Sequence, residues 1–208
     1  MARNLPAIVA AADEVLVSDG ESEDLTRKVA ADCGARVVCG PPGRGPQLNR
    51  GARAARGDGL LFLHADTVLP KGAVRSVANA LANGSVGGGF QIRFASSRPI
   101  YRLGSSIVNL RTHWFRSPLG DQAQFVSRTA FEKLGGFPDW PILEDLEFMR
   151  RLKRLGRITI LAPPVVTSAR RFEDRGITRT IAFNWLIFAL YFAGVSPERL
   201  ARFYRDVR

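Results

Sequence analysis

Apolar positions in the first third of the chain fall in short blocks, each closed by a turn signal. Val15-Leu16-Val17 is one such block; Ser22 and Asp24 then cap a helix through Val29 to Cys33 that stops at Gly34. Ala35 to Cys39 is again β-like, and Gly40-Pro41-Pro42-Gly43-Arg44-Gly45 is a loop opening a helix from about Gln47 to Arg56. After Gly57-Asp58-Gly59, the run Leu60-Leu61-Phe62-Leu63 has the pattern of a strand buried on both faces, and Pro70 starts a helix ending near Gly84. Three βα units in succession predict an open α/β sheet with parallel strands. Ahead of them, Arg3 and the stretch Leu5 to Ala12 have the look of a very small signal peptide. They are shorter than the roughly 15–30 residues such a leader needs, and a short first helix fits them better.

Past Gly87-Gly88-Gly89, whose glycines suggest a close backbone approach within the sheet, the pattern changes. Phe90 to Phe94 alternates, and a segment rich in Arg, Ser and aromatics runs to Gly120. Gln124-Phe125-Val126 reads as a strand, Asp145 to Leu155 as a helix closed by Gly156, and Ile158 to Leu161 as a further strand. Thr180 to Pro197 carries no charge and is apolar nearly all round, yet is shorter than the ~20 apolar residues of a membrane span. A buried helix or oligomer contact fits it, as does a helix lying on a membrane surface. Nothing resembling a linker separates the halves, so residues 1–208 are read as one domain with a first half of about 1–86 and a second of about 87–208.

Composition narrows the chemistry. With 46% apolar and 24% charged residues and a mean hydropathy of −0.04, the chain fits neither a disordered nor a multi-span membrane protein. Cys33 and Cys39 are the only cysteines and form no CxxC pattern; His64 and His113 are the only histidines. Disulfide frameworks, thiolate zinc and multi-histidine metal sites are thereby excluded, so a metal must lean on carboxylates. The net charge of +11 suggests nucleic acid at first sight, but residues 150–208 hold 13 Lys or Arg against 4 Asp or Glu, leaving the rest near neutral. A bound phosphate, or an anionic membrane surface beside the apolar run, suits that distribution better.

In open α/β sheets ligands gather beyond the carboxyl ends of the strands. Asp19 follows the strand ending at Ser18, and Asp66 follows the run Leu60 to Leu63 through His64 and Ala65. With Gly43-Arg44-Gly45 between them, the two acids suit a phosphorylated ligand, Asp19 for hydroxyls and Asp66 for a divalent cation. The glycines match neither the P-loop nor the GxGxxG pattern, which disfavours ATP hydrolysis and NAD chemistry. Asp121 follows Gly120 in a turn, and Glu144-Asp145 opens a helix after Trp140-Pro141. There an acid serves equally as helix cap or as general base.

These elements together resemble the inverting family 2 glycosyltransferases of the GT-A fold. Val17-Ser18-Asp19-Gly20-Glu21-Ser22-Glu23-Asp24-Leu25-Thr26 is similar to their VDDGSxDGT element, and Leu61-Phe62-Leu63-His64-Ala65-Asp66 to their FLDAD strand with its DxD motif. Gly43-Arg44-Gly45 with Asn49-Arg50-Gly51 resembles the intervening loop and helix, and Leu143-Glu144-Asp145 the xED motif. Gly120-Asp121-Gln122, Leu134-Gly135-Gly136-Phe137 and Arg150 to Gly156 are similar to the same family, especially its small bacterial branch associated with radical-SAM and selenoprotein-like domains.

The resemblance implies a Rossmann-like GT-A sheet, open and mostly parallel, with helices on both faces. It also implies a nucleotide-binding half (about 1–86), an acceptor and catalytic half (about 87–208), and a single domain. Its first strand is missing ahead of Asn4-Leu5-Pro6. It further implies metal-dependent inverting transfer of a sugar from a nucleotide-sugar donor to an unidentified acceptor, lipid-linked acceptors included. Catalysis falls to Asp145, with Asp121 and Glu144 beside it; substrate binding to Asp19, Arg44, Asn49, Gln122, Arg170 and Arg171; and a divalent cation, Mn²⁺ or Mg²⁺, to Asp66 and His64, the latter replacing the first Asp of DxD. A cytoplasmic protein, peripheral at the inner membrane face or self-associated and without a nucleic-acid partner, is the matching expectation. The rival readings are a non-catalytic nucleotide or nucleic-acid binding protein and a sugar nucleotidyltransferase.

Overall fold

The computed structural model describes residues 4–169 and 176–206. Short helix α1 (Leu5–Val9) precedes strand β1 (Leu16–Asp19), helix α2 (Thr26–Asp32) and strand β2 (Arg36–Cys39), which pairs with β1 in parallel. The Asp24 carboxylate caps α2 by accepting from Thr26 N at 2.8 Å. Helix α3 (Arg44–Ala54) begins earlier than the sequence suggests, because Gly43 is its N-cap and Arg44-Gly45 open its first turn.

Strand β3 (Gly59–Leu61) is shorter than the apolar run Leu60 to Leu63 implies, and it does not join β1 and β2. It forms one edge of a second sheet, ordered β3-β5-β4-β6, with β4 (Ser85–Phe94), β5 (Phe125–Ser127) and β6 (Arg157–Thr167). β5 runs antiparallel to β3 and β4, while β4 and β6 are parallel. Among the described residues no strand pairs with the second edge of β1 or of β3. The architecture is α/β, with helices packed on both faces.

Helix α4 (Ala73–Ala82) buries Ala73, Val77 and Ala80 against Phe90, Ile92 and Phe125. Helices α6 (Arg128–Leu134) and α7 (Glu144–Leu152) cover the other face, where Phe131, Phe137, Phe148, Met149 and Leu152 form a second core. The three glycines of β4 permit the tight sheet expected of them: a Cβ on Gly88 would lie 1.9 Å from Thr159 O, and one on Gly87 2.4 Å from Phe125 O.

The Arg- and Ser-rich segment before Gly120, which the sequence leaves unassigned, is the 17-residue helix α5 (Pro99–Phe115), started by Pro99 in its first turn. It covers the edge of β4 that β5 leaves open. The Asn109 side chain accepts from Ile92 N at 2.8 Å and donates to Ile92 O at 3.0 Å, Ser105 Oγ accepts from Phe94 N at 3.1 Å, and Gln122 donates to Phe90 O at 2.9 Å. Alternate residues of the strand thus find side chains where a neighbouring backbone would stand.

Two helices complete the described chain: α8 (Ile177–Phe192), which starts three residues ahead of the uncharged run and includes Arg179, and α9 (Pro197–Asp206). Tyr191 donates to Glu147 Oε2 at 2.6 Å, fastening α8 to α7. Among the described residues no helix is long and apolar enough to cross a membrane.

Candidate active site

Helix α3 lies between two groups of acids. On the β1 side, Asp19 is buried at the strand end; its Oδ2 accepts from Ser22 N at 3.0 Å and meets Arg27 Nε at 3.7 Å, while Oδ1 is buried without a partner. The Ser22 hydrogen bonds hold its pKa below the usual carboxylate value. From α3, Arg50 donates to Asp19 O, Gly40 O and Pro41 O at 2.9, 3.2 and 3.4 Å, and Gln47 to Ser18 O at 3.0 Å. The ends of β1 and β2 are therefore stapled to one helix.

On the other side, Glu144 and Asp145 sit in the first turn of α7, opposite the single-turn 3₁₀ helix Gly120–Gln122. Asp145 Oδ2 accepts from Gly120 N at 2.7 Å and Oδ1 from Leu146 N at 2.7 Å. A Cβ at Gly120 would stand 2.9 Å from His64 Nε2 and 3.1 Å from Asp145 Oδ2, so glycine lets the imidazole and the carboxylate close on the same turn. Asp121 has a buried, unpartnered Oδ1, and its pKa is pushed up to about 6 by withdrawal from solvent and then by the charge of Asp145. Glu144, buried, is pushed up to about 7 by the same two causes in the same order, against the pull of Arg44, whose Nε lies 3.5 Å from Glu144 Oε1. Such displaced carboxyls in a cleft are characteristic of reactive sites.

Arg111 completes the cluster, and nothing in the sequence marks it. Its guanidinium donates to Gln122 Oε1 at 3.2 Å, lies over the Phe188 ring at 5.8 Å, and faces the charges of Asp121 and Asp145. Burial lowers its pKa while those two acids oppose the shift. A cavity of about 360 Å³ opens here, bounded by Arg44, Leu143 and Asp145 below and by Asn184, Phe188 and Tyr204 of α8 and α9 above.

The expected site residues divide. Asp145, Asp121, Glu144, Arg44 and His64 converge on one place, with Asp66 exposed in the turn beyond His64. Asn49 and Gln122 do not serve as open ligands. Asn49 donates to Phe137 O and accepts from Phe137 N, both at 2.9 Å, and Gln122 is fully enclosed by Phe90 O, Thr112, Leu119 N and Arg111. Their amides are spent on buried backbone and, for Gln122, on the Thr112 and Arg111 side chains as well, which leaves none for a substrate. Gly45 has a packing reason too, since a Cβ there would be 2.4 Å from Pro138 O. Arg170 and Arg171 lie outside the described residues.

Among the described residues no three His, Cys, Asp or Glu side chains gather as a metal cage. One exposed carboxylate with one imidazole nonetheless suits a hard divalent cation that takes its remaining ligands from phosphate oxygens and water.

This fold, with acids at the ends of β1 and after β3 and a third group at the head of α7, is that of the GT-A glycosyltransferases. It is similar to the structure of a mannosyltransferase from Pyrobaculum calidifontis in complex with GDP-Man and Mn²⁺ (TM-score 0.59, 21% identity, covering 92% of this chain and 60% of that one). Similar, too, are TarS 1-349 of S. aureus (TM-score 0.58, 16% identity, 96% and 64%) and glucosyl-3-phosphoglycerate synthase of Mycobacterium tuberculosis in complex with Mn²⁺ and UDP-glucose (TM-score 0.53, 21% identity, 79% and 64%). Residues 3–135 match Glycosyl transferase family 2, and the chain belongs to that family. A curated relative, a probable glycosyltransferase of Bacillus subtilis called YdaM, is 25% identical over 177 residues, 74% of this chain and 42% of that protein. The chain thus spans less than half of that relative and less than two thirds of each of these solved chains.

Proposed function

We propose that this family 2 glycosyltransferase moves a sugar with inversion from a nucleotide-sugar donor to an acceptor hydroxyl, using a divalent cation. The observation that carries the reading is Asp145, held by two backbone N–H groups at the mouth of the 360 Å³ cavity with Asp121, Glu144 and Arg44 around it. Single displacement at an anomeric carbon needs one base for the acceptor proton and positive charge for the departing diphosphate. Asp145 is the base. Burial and then the charge of Asp145 raise the pKa of both neighbouring acids, so Asp121 and Glu144 hold protons further into the neutral range. Arg44, exposed at the first turn of α3, supplies positive charge toward the diphosphate, and Asp19 meets the nucleoside hydroxyls through its unpartnered Oδ1. Asp66 and His64 would hold the cation, which when bound neutralises the diphosphate. Mn²⁺ stands in two of the similar structures, and their donors are GDP-Man and UDP-glucose. Hydroxyls borne on lipids are among the acceptors that suit a cavity walled by Ile187 and Phe188.

A screen of nucleotide sugars with Mn²⁺, and again with chelator, tests the reading by release of free nucleotide. Cation-dependent release from at least one donor is expected, lost in Asp66→Asn and milder in His64→Ala. Equal nucleotide binding by wild type and Asp66→Asn, with metal and in chelator, would remove the cation from this site.

A further inference from the structure

Helix α5 is built inside out. Toward the sheet it presents Tyr101, Gly104, Ser105, Val108, Asn109 and Thr112, small or polar apart from the tyrosine and the valine. Outward it presents Leu103, Ile107, Leu110 and Trp114, exposed by 58%, 41%, 62% and 78%. These recur at three- and four-residue steps, so they form one stripe, extended by Ile100 and Phe115. An ordinary surface helix turns its apolar stripe to the core; a contiguous outward stripe marks an interaction surface.

Charge distinguishes the occupant. Between Asp66 and Asp121 the chain has no acidic residue, while Arg93, Arg98, Arg102 and Arg116 are exposed around the stripe. A second copy would set one arginine rim against another, which is unfavourable. An anionic bilayer satisfies both halves of the pattern: apolar and aromatic side chains enter the headgroup boundary, and arginines pair with phosphates. Helix α8 adjoins α5, since Phe188 lies beneath Arg111, and it adds the exposed Trp185, which meets Phe188 edge-on at 6.5 Å.

We propose that α5, with the Trp185 face of α8, is an in-plane docking surface for anionic lipid, with Leu103, Ile107, Leu110 and Trp114 as the inserted residues. None of these four belongs to the carboxylate cluster, so docking and chemistry are separable. The test is co-sedimentation of the full chain with vesicles of phosphatidylglycerol and phosphatidylcholine, or of phosphatidylcholine alone, at low and high salt. Pelleting with the anionic vesicles, weakened by salt, is expected. The triple variant Leu103→Gln, Leu110→Gln, Trp114→Gln should partition at least about tenfold less, with donor hydrolysis and melting temperature unchanged. Should that variant fold poorly, Arg93→Gln with Arg102→Gln keeps the stripe and should weaken binding to anionic vesicles alone. Equal pelleting of wild type and variants, or no preference for the anionic lipid, would overturn the proposal. So would a dimer that ignores vesicles and is dispersed by the triple variant, which would give the stripe to a second copy.

Discussion

The two sheets are held by different means. Around β1 and β2 the buried apolar residues are Leu5, Ala30 and Ala35, one leucine and two alanines, backed by half-buried valines. The four-stranded sheet lies between a layer with Phe90, Phe94 and Phe125 and another in which Phe131, Phe137 and Phe148 pack ring on ring. The thin side compensates with polar staples from Arg50 and Gln47 to the strand ends. Its geometry rests on α3, whereas the carboxylate cluster rests on rigid aromatic packing. A scaffold of the second kind can keep acids such as Glu144 out of water; one of the first kind suits a half that adjusts around a ligand.

The largest effect should come from the aromatic side. Phe148 is fully buried and stacks on Phe137 at 4.1 Å, so Phe148→Ala should cost about 3–5 kcal/mol and lower the melting temperature by roughly 10 °C. Leu5→Ala should instead speed hydrogen exchange mainly in β1 and β2. Identical global destabilisation by both would abolish the distinction between the sheets.

Asp145→Asn separates chemistry from binding. The amide keeps an oxygen for Gly120 N–H, so melting should stay near wild type while turnover drops at least ~10² with donor affinity intact. Asp19→Asn, on the stapled side, should weaken donor binding first. Near-normal turnover in Asp145→Asn with loss in Asp121→Asn would move the base to Asp121.

Arg50→Gln strips donors from the carbonyls of Asp19, Gly40 and Pro41. The local cost should be about 1–3 kcal/mol, read as faster exchange at Arg36–Cys39 with β4 and β6 unaffected.

The smallest effect is a pH profile. Glu144 titrates near 7 in the folded chain against 4.5 for an ordinary glutamate, so the folded state binds the extra proton. Its contribution to stability is complete below about pH 4.5 and lost as pH rises through about 7. Glu144→Gln should therefore flatten the thermal stability curve over that window and raise the melting temperature above it. A steeper curve would mean that the carboxylate is stabilised by Arg44 more than burial opposes it.

What could be read from the sequence follows from the range of the interactions. Asp19, Asp66 and Glu144-Asp145 are legible because an acid at a strand end or helix start is a local signal. Asn49 and Gln122 were misjudged because a carboxamide looks the same whether it faces a sugar or a backbone group 88 residues away, as Asn49 faces Phe137. Helix α5 is illegible for a physical reason: beyond Tyr101 and Val108 its buried face is small and polar, so the stronger hydrophobic periodicity points outward. Arg111 sits on that helix and was hidden with it. The placement of β3 beside β5 depended on pairing over more than 60 residues, which no local pattern encodes.

The side chains along the open edge of β4 have a consequence for how the protein behaves at high concentration. A strand with free N–H and C=O groups recruits other strands and seeds aggregation. Here Gln122, Asn109 and Ser105 occupy the groups of Phe90, Ile92 and Phe94, so the longest strand but one offers no template to a neighbouring molecule. Outer edges remain on β1, β2 and β3, each three or four residues long, and on the 11-residue β6, which Val68 bridges at Val166. Strands of three or four residues make poor nuclei, so among the described residues the outer edge of β6 is the long template left, and association through strands should begin there.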